Sequence, residues 1–416
     1  MNQNGCPNYH KMKNLTFFLI VSTLFHLNVT GQVERCGKDQ KLQERLLEKP
    51  ELAYIIDKQN QQIAAFDHSN KSRAVITIPV VVHVVYRTSN QNISSAQINS
   101  QINALNEDYR RLNADAVNTP SVFSGVDTEI EFCLATVDPN GNPTTGITRT
   151  FTTIPEIGNT NNYYRTSQGG QDIWDRDRYL NIWVCDLGAL YLGFAYAPNT
   201  ALPSYDGLVI DPRYFGTMGT AISPYNKGRT ATHEIGHWFN LEHLWGAGFG
   251  GCFSTDFVND TPTQFEENYG CLTHPSPSCN NGGDMFMNYM DYSDDRCMNA
   301  FTLGQKNRML AAIQLFRPGL LTSGGCSTVG LKKSTLRTNF TISPTVVNQT
   351  LTIVNESRNT YDYEVVNIMG QKQEENRTIK DAQLLINVET LAPGVYFLNV
   401  HTEGQRFSQK FIKTNF

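Results

Sequence analysis

The sequence predicts a mixed α/β domain over residues 74–325 followed by a small all-β sandwich over residues 339–416, and three observations carry that prediction. An apolar, β-branched run from Ile76 to Tyr86 reads as a buried strand. Helix-period stretches alternate with further strand-like runs from there to Phe316. Beyond residue 339 the helical period disappears, and short alternating runs separated by turn residues replace it.

Taken in order, the chain opens with Lys11 and Lys13 around Met12, the expected true start, and an apolar run from Leu15 to Leu27 that is too short for a comfortable bilayer span. Val29-Thr30-Gly31 offers the small residues a signal peptidase accepts, so residues 1–31 read as an export leader. Gln32 stands where a lipid anchor needs cysteine. No later segment is long and apolar enough to cross a membrane. Residues 32–73 are polar and helix-prone, as in Gln40–Leu47, and end in Lys71-Ser72-Arg73.

After the Ile76–Tyr86 strand, Ser94-Ser95 opens a helix on which Ile98, Ile102, Leu105, Tyr109 and Leu112 recur at three- and four-residue steps. Strand-like runs follow at Ile130–Thr136, Ile147–Thr152, Leu180–Cys185 and Leu208–Ile210, then a helix from near Gly228. A glycine-, asparagine- and aspartate-rich stretch leads to a closing helix, Thr302–Phe316, with Met309, Ile313 and Phe316 on one face. Ser323-Gly324-Gly325 ends the domain, and residues 326–338 read as a linker. In the last part, Leu351–Val354, Tyr363–Ile368, Leu384–Val388, Val395–Val400 and Gln409–Lys413 have the spacing of sandwich strands.

The length of 416 residues suits two or three domains, and 40% hydrophobic residues suffice for buried cores. A net charge of −5 with no basic stripe gives no basis for a nucleic-acid partner.

The chemistry is concentrated in His233-Glu234-Ile235-Gly236-His237-Trp238-Phe239-Asn240-Leu241-Glu242-His243. On a helix, His233 and His237 lie one turn apart on one face and can reach a single ion. Glu234 beside them can take the proton of an attacking water. Three protein ligands leave the fourth zinc position open, as in catalytic sites. For His243 to be the third, the helix must break, because six more helical residues would turn it roughly 240° away from His237 and carry it ~9 Å further on. Asn240 is suited to the break, since asparagine is next to glycine in tolerating a left-handed backbone. A chance His-Glu-x-x-His is expected in only about one such chain in a hundred.

These residues make the chain resemble the metzincin zinc endopeptidases, and within them the pappalysin and cytophagalysin family. Asn288-Tyr289-Met290-Asp291-Tyr292-Ser293-Asp294-Asp295-Arg296-Cys297 looks like that family's Met-turn. The resemblance covers roughly residues 74–325 and implies a metzincin fold: a mixed twisted sheet with helices, an active-site helix and an irregular C-terminal subdomain. It implies Met290 as an apolar floor beneath the histidines and Tyr292 as a phenol facing the oxyanion of the tetrahedral intermediate. Gly193-Phe194-Ala195-Tyr196 is the matching candidate for an edge strand that adds the substrate backbone to the sheet. An acidic residue after the Met-turn, Asp294 or Asp295, would select arginine or lysine, with Arg296 placed to neutralise it. Asp256, Asn259, Asp260 and Thr261 are oxygen ligands in the region where some relatives carry calcium, although they form no self-sufficient calcium loop.

Cys6 would be lost with the leader, leaving eight cysteines, an even number that favours disulfides in an exported chain. By resemblance, Cys252 pairs with Cys279 and Cys271 with Cys297. Cys133 and Cys185 lie on expected strands and either pair or remain buried thiols. Arg35-Cys36-Gly37 resembles the cysteine switch of metzincin pro-segments, in which a thiolate fills the open metal position. Residues 32–73 would then be a pro-segment released by a cut near Arg73. The alternative for Cys36 is a disulfide with a cysteine such as Cys326.

At the C-terminus, Leu391-Ala392-Pro393-Gly394-Val395-Tyr396 and Lys410-Phe411-Ile412-Lys413 resemble the sorting domain of type IX secretion, with Ser343-Pro344-Thr345 in place of the usual Pro-Asn-Pro. That resemblance implies the type IX machinery as a partner and passage through a Gram-negative periplasm to the cell surface or medium. A substrate-binding or adhesive β-module is the competing reading. For the whole chain, two functions follow: a latent, secreted zinc endopeptidase acting on proteins or peptides, or an inactive zinc-containing adhesion protein.

Overall fold

The computed structural model describes residues 33–67, 75–246, 250–326, 340–356, 360–367, 371–402 and 405–415. The expected leader, the cut near Arg73 and nearly all of the linker lie outside them. The first part contains β1 (Glu34–Cys36), α1 (Lys38–Glu48), α2 (Leu52–Ala64), β2 (Ile76–Tyr86), α3 (Ser95–Tyr109), β3 (Ile130–Leu134) and β4 (Ile147–Phe151). It continues with β5 (Leu180–Cys185), β6 (Tyr191–Ala195), β7 (Leu208–Ile210), α4 (Arg229–Trp238) and α5 (Leu303–Phe316).

Seven strands form one sheet in the order β1-β6-β7-β5-β2-β3, with β4 also on β2. Only β6 with β7 is antiparallel; the remaining pairs are parallel. β2 is the central strand because its β-branched residues bury both faces: Ile78, Val80, Val81, Val82 and Val84 are fully covered. The one polar residue at its centre, His83, is satisfied by Thr148 Oγ1 at 2.8 Å and Asn181 Oδ1 at 2.9 Å. On the far side of β6, β1 adds as an extra parallel strand, pairing Glu34 with Tyr191 and Cys36 with Gly193. The candidate edge strand is therefore covered by the N-terminal segment.

α3 starts at Ser94, whose hydroxyl accepts from the Gln97 amide at 3.1 Å. It packs on β3 and α4. Gln101 donates to Gly228 O at 2.9 Å and accepts from Gly216 N at 2.7 Å, anchoring the loop from which α4 starts. Every residue of α4 is buried. α5 begins in a capping box formed by Thr302 and Gln305.

The C-terminal part folds as β8 (Phe340–Ser343), β9 (Val346–Val347), β10 (Thr350–Asn355), β11 (Tyr361–Asn367), β12 (Lys372–Ile379), β13 (Gln383–Asn387), β14 (Gly394–Thr402) and β15 (Gln405–Lys413). Two sheets, β13-β10-β8 and β12-β11-β14-β15-β9, enclose a core that includes Phe340, Leu351, Ile353, Val365, Leu398 and Phe411. Alternating burial along β10 and β11 matches the period seen in the sequence.

Candidate active site

α4 carries His233 and His237 one turn apart, with their Nε2 atoms 3.1 Å from each other. The chain leaves the helix at Phe239 and reverses at Asn240, where φ is 70°. His243 thereby returns to the pair, its Nε2 3.2 Å from that of His233 and 3.0 Å from that of His237. Arg308 of α5 fixes the reversal: it donates to Asn240 O at 2.6 Å and to Asn240 Oδ1 at 3.1 Å. Trp245 stacks on His243 with ring centroids 4.4 Å apart. Neither Arg308 nor Trp245 carried any mark in the sequence that would tie it to the histidines.

The histidines fit a zinc ion by the chemistry of their donors. Burial first, and then neighbouring His243, hold the imidazoles of His233 and His237 well below their ordinary pKa, so both rings are neutral. His233 Nδ1 donates to Tyr289 O at 2.7 Å and His237 Nδ1 to Leu241 O at 2.8 Å, which leaves each Nε2 as a lone pair. Lone pairs cannot hydrogen-bond one another, so their convergence calls for a cation. Tetrahedral zinc ligands about 2.05 Å from the ion would lie roughly 3.3 Å apart, close to the spacing here.

Cys36 Sγ joins the same cluster, all four ligand atoms lying within 4.8 Å of one another. Cys36 is a free thiol, not a disulfide partner. Burial and then the nearby Glu234 push its thiol well above the ordinary value. Its Sγ sits 3.5 Å from Glu234 Oε2, while Glu234 Oε1 is buried with no partner. Burial lifts the Glu234 carboxyl to about 8. Gly193 of β6 makes room for it, since a Cβ there would meet Glu234 Cγ at 3.3 Å and Val209 O at 3.0 Å.

Met290 lies directly against α4: a Cβ on Gly236 would come within 2.4 Å of its Sδ, so the glycine and the methionine fit only together. Tyr292 is buried, donates to Cys36 O at 3.3 Å and sets its ring 5.1 Å from that of His243. Asp108, from the end of α3, ties helix and turn together by accepting from Thr232 Oγ1 and Tyr289 OH, both at 2.8 Å.

The two acidic candidates after the turn separate cleanly. Asp295 is fully buried, accepts from Lys227 N at 2.8 Å and Arg229 N at 3.2 Å, and pairs through Oδ1 with Arg35 at 3.0 Å. Arg35 also donates to Ser293 O at 2.7 Å and lies 4.9 Å above the Tyr225 ring. Arg296 instead faces solvent and pairs with Asp294 at 3.5 Å, so it does not neutralise Asp295.

The disulfides are Cys252–Cys279, Cys271–Cys297 and Cys133–Cys326, with Cys185 a buried thiol. Of the two readings of Cys133 and Cys185, pairing with each other fails because Cys133 closes a bridge to Cys326, 193 residues away, a partner that sequence spacing could not single out. The calcium candidates are engaged by the protein itself. Asp256 accepts from Val258 N and Thr261 Oγ1, and Asp260 from Thr302 Oγ1 and Gly304 N. Among the described residues, the His and Cys cluster is the one convergent group of at least three such ligands.

A buried imidazole trio beside a carboxylate, facing the edge of a mixed sheet, defines a metallopeptidase. Comparison with known proteins agrees. Residues 164–314 match the peptidase family described as pregnancy-associated plasma protein-A, and residues 341–414 match the secretion system C-terminal sorting domain. An extracellular metalloprotease of Arthroderma benhamiae is 34% identical over 253 residues, 59% of this chain and 80% of the relative. One from Pyricularia oryzae is 31% identical over 319 residues, 74% of this chain and 98% of the relative. A promirolysin variant of Tannerella forsythia superposes with a TM-score of 0.64 at 46% identity, over 70% of this chain and 97% of that one. Mature mirolysin in complex with a cleaved peptide gives 0.57 at 51% identity, over 60% and 96%. The chain belongs to the pappalysin family of metzincins: it is a secreted metalloendopeptidase with a type IX sorting domain at its C-terminus.

Proposed function

We propose that the protein is a zinc-dependent endopeptidase made as a latent precursor, with His233, His237 and His243 holding the ion and Cys36 of the N-terminal segment closing the site. The observation that carries this reading is the convergence of one free sulfur and three Nε2 lone pairs within 4.8 Å. The organisation that goes with it is a leader at 1–31, a pro-segment at 32–73 and a peptidase domain at 74–325, with the sorting domain at 339–416.

Bound there, zinc would polarise the scissile carbonyl and acidify an attacking water. Glu234 takes that water's proton and returns it to the leaving amine; its unpartnered Oε1 is the free acceptor this needs. Tyr292 already donates to a peptide carbonyl, that of Cys36, and the same phenol serves a substrate carbonyl as negative charge develops on it. β6, once β1 has left, offers its edge to a substrate strand through Gly193, Phe194 and Ala195, with Tyr196 just beyond. The pairing of the Arg35 guanidinium with Asp295 and with Ser293 O supports a site for a basic side chain there, so substrates carry arginine or lysine at that position. Latency follows from Cys36 occupying the position the water requires, and it ends when the segment is cut.

The inactive-adhesion alternative is disfavoured by the intact Glu234 and Tyr292, which a binding protein has no need to keep in place. Peptide hydrolysis by the processed protein tests the zinc mechanism. Activity is expected to vanish with a chelator and with Glu234→Ala, while Cys36→Ala should give activity in the unprocessed form. Equal cleavage by Glu234→Ala would remove the mechanism.

A further inference from the structure

The three imidazoles differ in what their second nitrogen meets. His233 and His237 use carbonyls of Tyr289 and Leu241, both in the peptidase domain. His243 Nδ1 instead meets the Asp39 carboxylate, 3.1 Å away, in the first turn of α1. Lys38 braces that carboxylate, with its ammonium 3.4 Å from Asp39 Oδ1 and also bonded to Glu242, the neighbour of His243. The Trp245 ring lies parallel on His243, so the imidazole plane is fixed and its Nδ1 edge is left to Asp39.

We propose that Asp39 is a positioning residue for the metal: in the latent form it completes the outer shell of His243, so the segment that blocks the site also secures the zinc. This rests on the zinc reading above. A carboxylate on Nδ1–H keeps the Nε2 lone pair facing the ion and raises its basicity, and losing such a partner typically weakens metal binding about 10–100-fold. Cys36 and Asp39 act on different atoms and therefore contribute separately. When the segment departs, His243 becomes the ligand without a protein partner of the kind His233 and His237 keep. The mature enzyme is then the form prone to lose zinc, and the precursor is the form that carries it through export.

The test uses the uncut full-length precursor carrying Glu234→Gln, which lacks the proposed base, and reads zinc affinity by competition with a chelating dye. Asp39→Ala should weaken binding by roughly 10–100-fold, and by a similar factor when Cys36→Ser is already present. In imidazole NMR of the zinc-loaded precursor, Asp39→Ala should lose the slowly exchanging His243 Nδ1 proton. The His233 and His237 protons should remain, showing that the site is still folded. Unchanged affinity with zinc still bound overturns this inference alone, as does loss of all three protons together. A precursor that binds no zinc overturns the functional reading, and the inference with it.

Discussion

Replacing Asn240 by glycine should destabilise this protein, although its φ of 70° lies where glycine is the residue best tolerated. Relief of left-handed strain would gain up to about 1–2 kcal/mol for an ordinary residue and less for asparagine, which visits that region readily. Extra freedom of a glycine in the unfolded chain takes back about 0.4–1 kcal/mol, so the backbone contributions nearly cancel. What remains is the bond from buried Arg308 to Asn240 Oδ1 at 3.1 Å. A hydrogen bond to a charged group contributes about 1.5–3 kcal/mol, and without it one guanidinium N–H turns to a site with no acceptor in its place. A net loss of about 2 kcal/mol corresponds to roughly 4–8 °C in Tm for a domain of this size. Differential scanning calorimetry on the precursor reads the peptidase transition directly. Asn240→Ala should fall further, because it keeps the strain and loses the bond. An Asn240→Gly protein as stable as the parent, or more so, would show that the Arg308 bond to the Asn240 side chain adds no stability.

Asp295→Asn should reduce kcat/KM for peptides bearing arginine or lysine by roughly 10–100-fold, with little change on neutral analogues, because one charge-assisted partner is lost. Cleavage profiling on a peptide library measures both, and an unaltered basic preference would count against the pocket. The double replacement Cys133→Ser with Cys326→Ser opens a loop of 193 residues and should cost about 3–5 kcal/mol. Denaturant unfolding under non-reducing conditions checks this, and an unshifted midpoint would argue that the bridge adds nothing.

How much of this was legible depended on how local the cause is. β2 and the start of α3 follow from β-branched residues and from a Ser94 cap ahead of periodic apolar positions, but α3 ends at Tyr109, and Leu112, expected on its apolar face, lies exposed beyond it. The His233–His243 spacing could be read because helix geometry alone pairs the first two rings. β1 was not legible: three residues have no period, and Glu34–Cys36 is a strand only because β6 offers an edge. β12 escaped notice because Lys372–Ile379 is charged rather than alternating, as suits a strand at the end of its sheet. Helix-prone character in the N-terminal segment was visible, yet its contacts were not. Asp39 reaches His243, 204 residues away, and Arg308 reaches Asn240, 68 residues away. Tertiary packing makes such pairs, and no local pattern announces them.

X-ray absorption at the zinc edge reads the ligand set of the precursor and of the processed enzyme. Three nitrogen neighbours and one sulfur are expected in the precursor, with the sulfur replaced by oxygen after processing. A precursor spectrum with no sulfur, or with fewer than three imidazoles, would contradict it.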